Sequence, residues 1–472
     1  MNKGQLIIAV GVIGATHLLG ADANENWGQW RGPSQNGVAP NADPPVEWSE
    51  TKNVRWKFKL PGEGSATPII WDNLVFVQVA VPTAKKIDAK VNLSSEFFGQ
   101  QQRIQGAAPA DGAANPPRRP GRGGGGFGGG GAPKDPFQFT LIALDRVTGK
   151  PAWQKSLREE IPHEGHHQDG SFASASPIAD ADGIYAYYGS RGLYALDHKG
   201  NVKWQKDLGK ARTKNSFGEG SSPALFGNTL VVNWDHEGDD FVAAFDKNTG
   251  KELWKQPRDE STSWSTPLIV QAGGVAQAVV NASAKVRSYD LATGKELWSV
   301  GPLTANAIPS AVSGNGLIYC MSGFRGAALF AVKPGKTGDI AGTDAIAWTY
   351  NKDTPYVPSP LLYDDRLYFF KGNEATLTVL DAKSGKAMVE AERLEGVRGI
   401  YASPIGAAGR IYVAGRDGGA LVLKKGDKAE VLATNKLDDR FDASPAAVGK
   451  ELFLRGKQYL YCIAPTERAA LK

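Results

Sequence analysis

A short run of small residues closing on proline or alanine returns eight times along this chain, and no other feature constrains the fold as strongly. The copies are Ser65-Ala66-Thr67-Pro68, Ala175-Ser176-Pro177, Ser221-Ser222-Pro223, Trp264-Ser265-Thr266-Pro267, Pro309-Ser310-Ala311, Pro358-Ser359-Pro360, Ala402-Ser403-Pro404 and Ala443-Ser444-Pro445. Aligned on their last residues from 177 onward, successive copies lie 46, 44, 44, 49, 44 and 41 residues apart. That is the period of four-stranded propeller blades. Each copy runs signature, apolar stretch, turn, second stretch such as GIYAYYG, turn, then a third stretch ending in Asp and a TGK turn.

The third stretches close as ALDRVTGKPAW (Trp153), AFDKNTGKELW (Trp254), SYDLATGKELW (Trp298) and, degraded, VLDAKSGKAMV (Val389). Asp and Gly suit a tight turn, and the large apolar body of each Trp is expected to wedge against the neighbouring blade. The last copy supplies only three strands, SPAAV, ELFLR and YLYCIA. Its missing outer strand stands at the start of the chain, where Asn53-Val54-Arg55-Trp56 repeats Asn201-Val202-Lys203-Trp204. Residues 54–59 should therefore complete the eighth blade and close the ring, removing the open sheet edges. The expectation is an all-β, eight-bladed β-propeller of four-stranded blades, ring-closed by an N-terminal strand.

Ahead of the repeats, Lys3, the apolar run Leu6 to Leu19 and Ala21-Asp22-Ala23 read as a secretory leader cleaved near Ala23. An uncleaved anchor is the alternative, but the run is short for a bilayer span. The chain then divides into a leader (1–23), an extension (24–53), the propeller (54–465) and a tail (466–472). Blade one carries an insertion, about 82–136, whose PPRRPGRGGGGFGGGGAPKDP core is too poor in apolar residues to offset the entropy of ordering it and reads as a disordered loop. The expected mature protein is a periplasmic or secreted monomer without a transmembrane segment. Net charge is +5 over 472 residues, which does not indicate nucleic-acid binding. Cys320 and Cys462 fall in different blades and are expected to be free buried thiols.

Blade topology sorts the polar residues. Loops entering first strands and loops joining second to third strands emerge on one face; TGK turns emerge on the other. The first face receives Arg191, Lys285, Arg325, Lys371, Arg416 and Arg455, a ring of cations suited to carboxylates or phosphates. A second reading is that each arginine braces its own blade. The same face receives His163, His166, His167 and Asp169 from HEGHHQDG, and His236 from NWDHEGDD. Of these, His166, His167, Asp169 and His236 are the candidate metal ligands, with polar loop anchoring as the alternative. Asp235, Glu237 and Asp442 are the candidate general bases, should the chain be an enzyme.

The AxDxxTGKxxW closings and the blade order resemble the pyrroloquinoline-quinone-like (PQQ-like) propeller repeat over residues 54 to 464, and WGQWRGPSQNG is similar to the start of exported members common in planctomycete-type bacteria. The resemblance embraces quinoprotein alcohol and glucose dehydrogenases as well as BamB, a non-enzymatic scaffold. Likeness to the dehydrogenases implies PQQ bound with calcium; their adjacent bonded cysteines have no counterpart here, and none of their calcium ligands matches a motif of this chain. Likeness to BamB implies a partner-binding disc, without the N-terminal lipid-bearing Cys. The expected function is a ligand- or partner-binding scaffold, its partner an anionic small molecule or another exported protein. The alternatives are a PQQ-dependent oxidoreductase, and a protein binding anionic glycans or a metal.

Overall fold

In the computed structural model, the described residues are 25–83 and 129–465. The strands of these residues form eight sheets, each built on four antiparallel strands that follow one another along the chain, except that the last blade borrows its outer strand from the start of the chain and blade five lends a short strand to blade four. Blade one comprises Ile69–Trp71, Leu74–Pro82, Phe137–Asp145 and Pro151–Glu160, and its insertion lies between the second and third strands as expected. The leader, the core of the insertion and the tail lie outside the described residues. The last stretch of the insertion is described: Gly129 and Gly130 donate to the carbonyls of Asn215 and His166, at 2.8 and 2.9 Å.

Middle strands such as Gly183–Tyr187 are buried along their whole length because blades cover both their faces, whereas outer strands such as Pro151–Glu160 are largely exposed. Ring closure is as the sequence predicts. Val54–Lys59 pairs antiparallel with Tyr459–Ile463, setting Trp56 opposite Cys462. Two sheets gain a fifth, parallel strand: Val38–Ala39 beside Ile405–Ala407 in blade seven, and Gly338–Asp339, from the blade-five loop, beside Glu296–Val300 in blade four. Cys320 and Cys462 are free and fully buried, and burial raises both thiol pKa values.

Two repeated contacts join the blades. On the outside, the Trp of one blade packs on the turn glycine of the next, and its indole N–H reaches the carbonyl following the turn Asp. Trp56, Trp153, Trp204, Trp254 and Trp348 donate in this way to Arg146, His198, Lys247, Leu291 and Ala382, at 2.8–3.2 Å. Gly149 needs to be glycine twice over, because its φ is +69° and a Cβ there would stand 2.5 Å from the Trp56 ring.

On the inside, the hydroxyl residues of the signatures form a belt. The backbone N–H groups of Thr67, Ser176, Ser222, Thr266, Ser310, Ser359 and Ser403 each donate to the hydroxyl of the next blade's signature, at 2.8–3.0 Å. The proline that usually follows holds these residues extended and offers no N–H of its own at the start of the strand. At the eighth junction the belt is open, and the Thr67 hydroxyl is buried without a partner among the described residues.

Candidate functional site: a blind cup on the channel axis

The extension closes one end of the channel. Trp27 exchanges two 3.0 Å backbone bonds with Ile70, Gly28 accepts from Ala179, the Gln35 side chain accepts from Ile269, and Gly37 accepts from Gly406. Each of these first-strand partners stands three residues beyond the belt, toward the hairpin-turn face. Arg31 completes the plug, donating to the carbonyls of Pro360 and Pro404 at 2.6 and 2.7 Å, while its burial lowers the guanidinium pKa to about 9.

Above Trp30 a cavity of about 260 Å³ remains, reached from the signature face. Its floor is the belt, through Ser176, Ser222, Thr266, Ser359, Ser403 and Ser444. Its wall takes one residue from every blade, always two positions before the belt residue: Ser65, Ser174, Gly220, Trp264, Ile308, Val357, Tyr401 and Asp442. Blades one to three thus contribute small residues, four to seven bulky ones, and eight a carboxylate. Phe217, Tyr356, His167, Asp169 and Glu219, with Gly170, Ser171 and Gly218, complete the lining, which contains no Lys or Arg among the described residues.

The cations stand behind this wall or away from it. Arg416 binds Asp169 and, at 2.8 Å, Asp442, and its guanidinium lies 3.8 Å over the Tyr401 ring. Arg440 joins the same two carboxylates at 2.7 and 3.1 Å, and Lys457 stands 3.4 Å from Asp442. Burial raises the Asp442 pKa despite these neighbours. Arg191 is held by Glu219 at 2.7 Å, and burial raises the pKa of that carboxyl too.

The other cations of the expected ring have separate surroundings. Arg455 is buried beneath the blade-one signature, donates to the Ala66 carbonyl at 3.2 Å, and has its pKa lowered by burial to about 9. Lys285 stands 3.5 Å from Asp339, Lys371 stands 3.2 Å from Asp353 and 3.1 Å from Glu374, and Arg325 rests 5.2 Å over Phe324. None of these four lines the cup.

The candidate metal ligands are dispersed. His166 bonds the His167 carbonyl at 2.7 Å and lies 3.2 Å from Glu63; burial opposes its charge, but the two partners prevail and its pKa is raised. His167 accepts from the Asp169 N–H at 3.2 Å. His236 lies edge-on to Trp234, 3.4 Å from the Arg212 N–H, with its pKa lowered mainly by burial. Among the described residues, no three His, Cys, Asp or Glu side chains converge into a metal-holding group.

The candidate bases also separate. Asp235 is wholly engaged by Arg258 at 2.6 and 3.2 Å and by Ser263 at 2.5 Å, in a pair without exposed side-chain surface. Glu237 accepts from the Thr262 N–H and hydroxyl. Asp442 alone of the three lines the cup. Sequence reasoning missed Glu219, Arg440, Lys457 and the aromatic wall, although counting two positions back from each belt residue would have found Trp264 and Tyr401.

The profile of the family described as "Outer membrane protein assembly factor BamB" matches residues 138–238 and 238–470. The chain belongs to that family. No curated protein matches it. Among solved structures, the quinohemoprotein alcohol dehydrogenase from Comamonas testosteroni is similar to this family member with a TM-score of 0.58 at 10% identity, over 96% of this chain and 83% of that one. That likeness is one of fold. The computationally designed Ika8 protein (TM-score 0.48, 14% identity, 70% and 92% coverage) and BamB from Moraxella catarrhalis (0.35, 12%, 72% and 81%) superpose too loosely to bear on the site. Among the described residues, no helix is long and apolar enough to cross a membrane.

Proposed function

We propose that this propeller is a binding protein of the cell exterior or periplasm, not a catalyst, and that it engages its ligand or partner through the signature face. The leader read at residues 1–23 accounts for export. The observation that carries the proposal is the blind cup: a concave site with apolar walls and convergent polar groups, opening on one face of a rigid ring. Membership of a family described by an assembly factor favours a partner protein on the same face.

PQQ with calcium does not fit these residues. A tricarboxylate would meet Asp169, Glu219 and Asp442, which already engage Arg191 and Arg416, in a cup lined by no Lys or Arg among the described residues, where no group of three potential ligands converges either. No oxidation step is therefore assigned to the cup.

Two measurements test the proposal. Titration with PQQ, with and without calcium, should give no heat of binding, and dye-linked alcohol and sugar oxidation should give no turnover; binding with turnover would overturn it. A photo-crosslinking amino acid at Tyr356, on the cup, should capture neighbours in the cell envelope, whereas one at Val147, on the exposed turn face, should not. The reverse pattern would move the interaction to the other face.

A further inference from the structure

We infer that the cup selects a small uncharged polyol, a single ring carrying several hydroxyl groups, which it would stack on its bulky half. This inference rests on the reading of the cup as the binding site.

The floor is a set of donors. Ser176, Ser222, Thr266, Ser359, Ser403 and Ser444 each accept a backbone N–H, and none passes its own proton to an acceptor among the described residues. A hydroxyl retains one donor and a second lone pair in that state. The Ser65 hydroxyl, buried and also lining the cup, has no partner among the described residues. The wall supplies acceptors, because Asp169, Glu219 and Asp442 line it while their cations approach from behind.

An organic cation would leave the floor donors without acceptors and would stand close to Arg416, Arg440 and Lys457. An anion would confront three carboxylates, and the cations nearest the cup, Arg191, Arg416, Arg440 and Lys457, are already engaged by those carboxylates. Each mismatch costs the desolvation of groups left unpaired. A hydroxyl both donates and accepts, so a polyol satisfies floor and wall together.

Shape agrees with this chemistry. Trp264, Ile308, Val357 and Tyr401 come from four consecutive blades, so the bulky residues occupy one side of the ring, with Tyr356 beside them. They offer apolar and aromatic surface to the C–H face of a saturated ring, while Ser65, Ser174 and Gly220 leave the opposite side open for its substituents. At about 260 Å³ the cavity is smaller than the roughly 300–1,000 Å³ of sites for drug-sized ligands. One ring fits that volume better than a chain of them.

The test is calorimetric titration, followed in parallel by tryptophan fluorescence, of the full chain with hexoses, N-acetylhexosamines and myo-inositol. Choline and benzene-1,3,5-tricarboxylate serve as charged probes of similar size. The variants are Ile308→Trp, which fills the cup without touching its polar network, and Asp442→Asn, each checked by its melting curve. The expected result is binding of at least one uncharged ring, abolished in I308W and weakened about tenfold in D442N. Preferential binding of either charged probe, lost in I308W, would keep the cup as the site and overturn the polyol. A polyol that binds I308W as well as the native chain would overturn the cup itself. Silence across the whole uncharged panel would overturn the inference.

Discussion

The two faces of the ring use repetition differently. On the outer, turn side the same residues recur to do the same work: Trp56, Trp153, Trp204, Trp254 and Trp348 each pack on a neighbour's turn and donate to the carbonyl after its Asp. On the signature side the belt hydroxyl recurs, but the residue two positions before it changes from blade to blade, from Ser65 through Trp264 to Asp442. Constancy marks the mechanical contact; variation at a fixed register marks where the molecule can discriminate. Of the three exceptions on the outer side, the blade of Val389 keeps only an aliphatic residue, and the other two have visible substitutes. Trp298 bonds Gln277 within its own blade and carries the extra strand Gly338–Asp339. At blade seven Trp48 of the extension stacks on Tyr412, and its backbone N–H donates to the Asn435 side-chain oxygen at 2.8 Å.

The comparison breaks first at the outer lock of the closing strand. Trp56→Ala should cost about 3–5 kcal/mol in urea unfolding, as expected for a buried aromatic; a value near zero would remove the lock from the account of ring closure. The inner belt should be weaker per link. Ser403→Ala takes the acceptor from the buried Ser359 N–H and should cost about 1–3 kcal/mol in the same measurement. A neutral result would make the belt ornamental.

A smaller effect concerns the loop that carries Asp169. His166 is raised above its ordinary 6.5, so its contribution is fully present below that pH and is lost as pH rises through the folded value. Its partner Glu63 is lowered below 4.5 by His166 and the Phe172 N–H, against its own burial, so its contribution is present above 4.5 and lost as pH falls through the folded value. The pair is therefore strongest between about 4.5 and 6.5. His166→Gln should lower melting temperature most in that window and by little above it, consistent with under about 1 kcal/mol for a partly exposed pair; equal loss at all pH values would show that the ring packs without charge. The smallest effect is expected at the belt's open junction. Thr67→Val removes a buried hydroxyl that has no partner among the described residues, so it should cost no stability. A loss matching Ser403→Ala would mean that the belt closes.

Much of this was legible in the residues. The signature spacing gave the blade count, the NVRW repeat gave the closing strand, and the TGK turns gave the face to which each loop belongs. These are local or periodic signals, which a strand's alternation and a turn's backbone demands write directly into sequence. The cation ring shows the limit of such signals. Arg191 and Arg416 do lie in loops of the predicted face, yet Glu219 and Asp169 take them up, and Arg455 is the last residue of a strand, buried at the Ala66 carbonyl. Asp169 and Arg416 are 247 positions apart.

By itself, then, the sequence determined an eight-bladed ring, its N-terminal closure and the two faces, because those follow from repeats that each fold by the same short-range rules. Only the tertiary structure decided that the segment Trp27–Gly37 plugs the channel, that Arg191 and Arg416 are matched by carboxylates, and that the residues two before the belt all face one cup. The reason is physical: burial and charge pairing depend on which side chains a closed ring brings within a few ångströms, and ring closure joins residues whose separation along the chain carries no periodic trace.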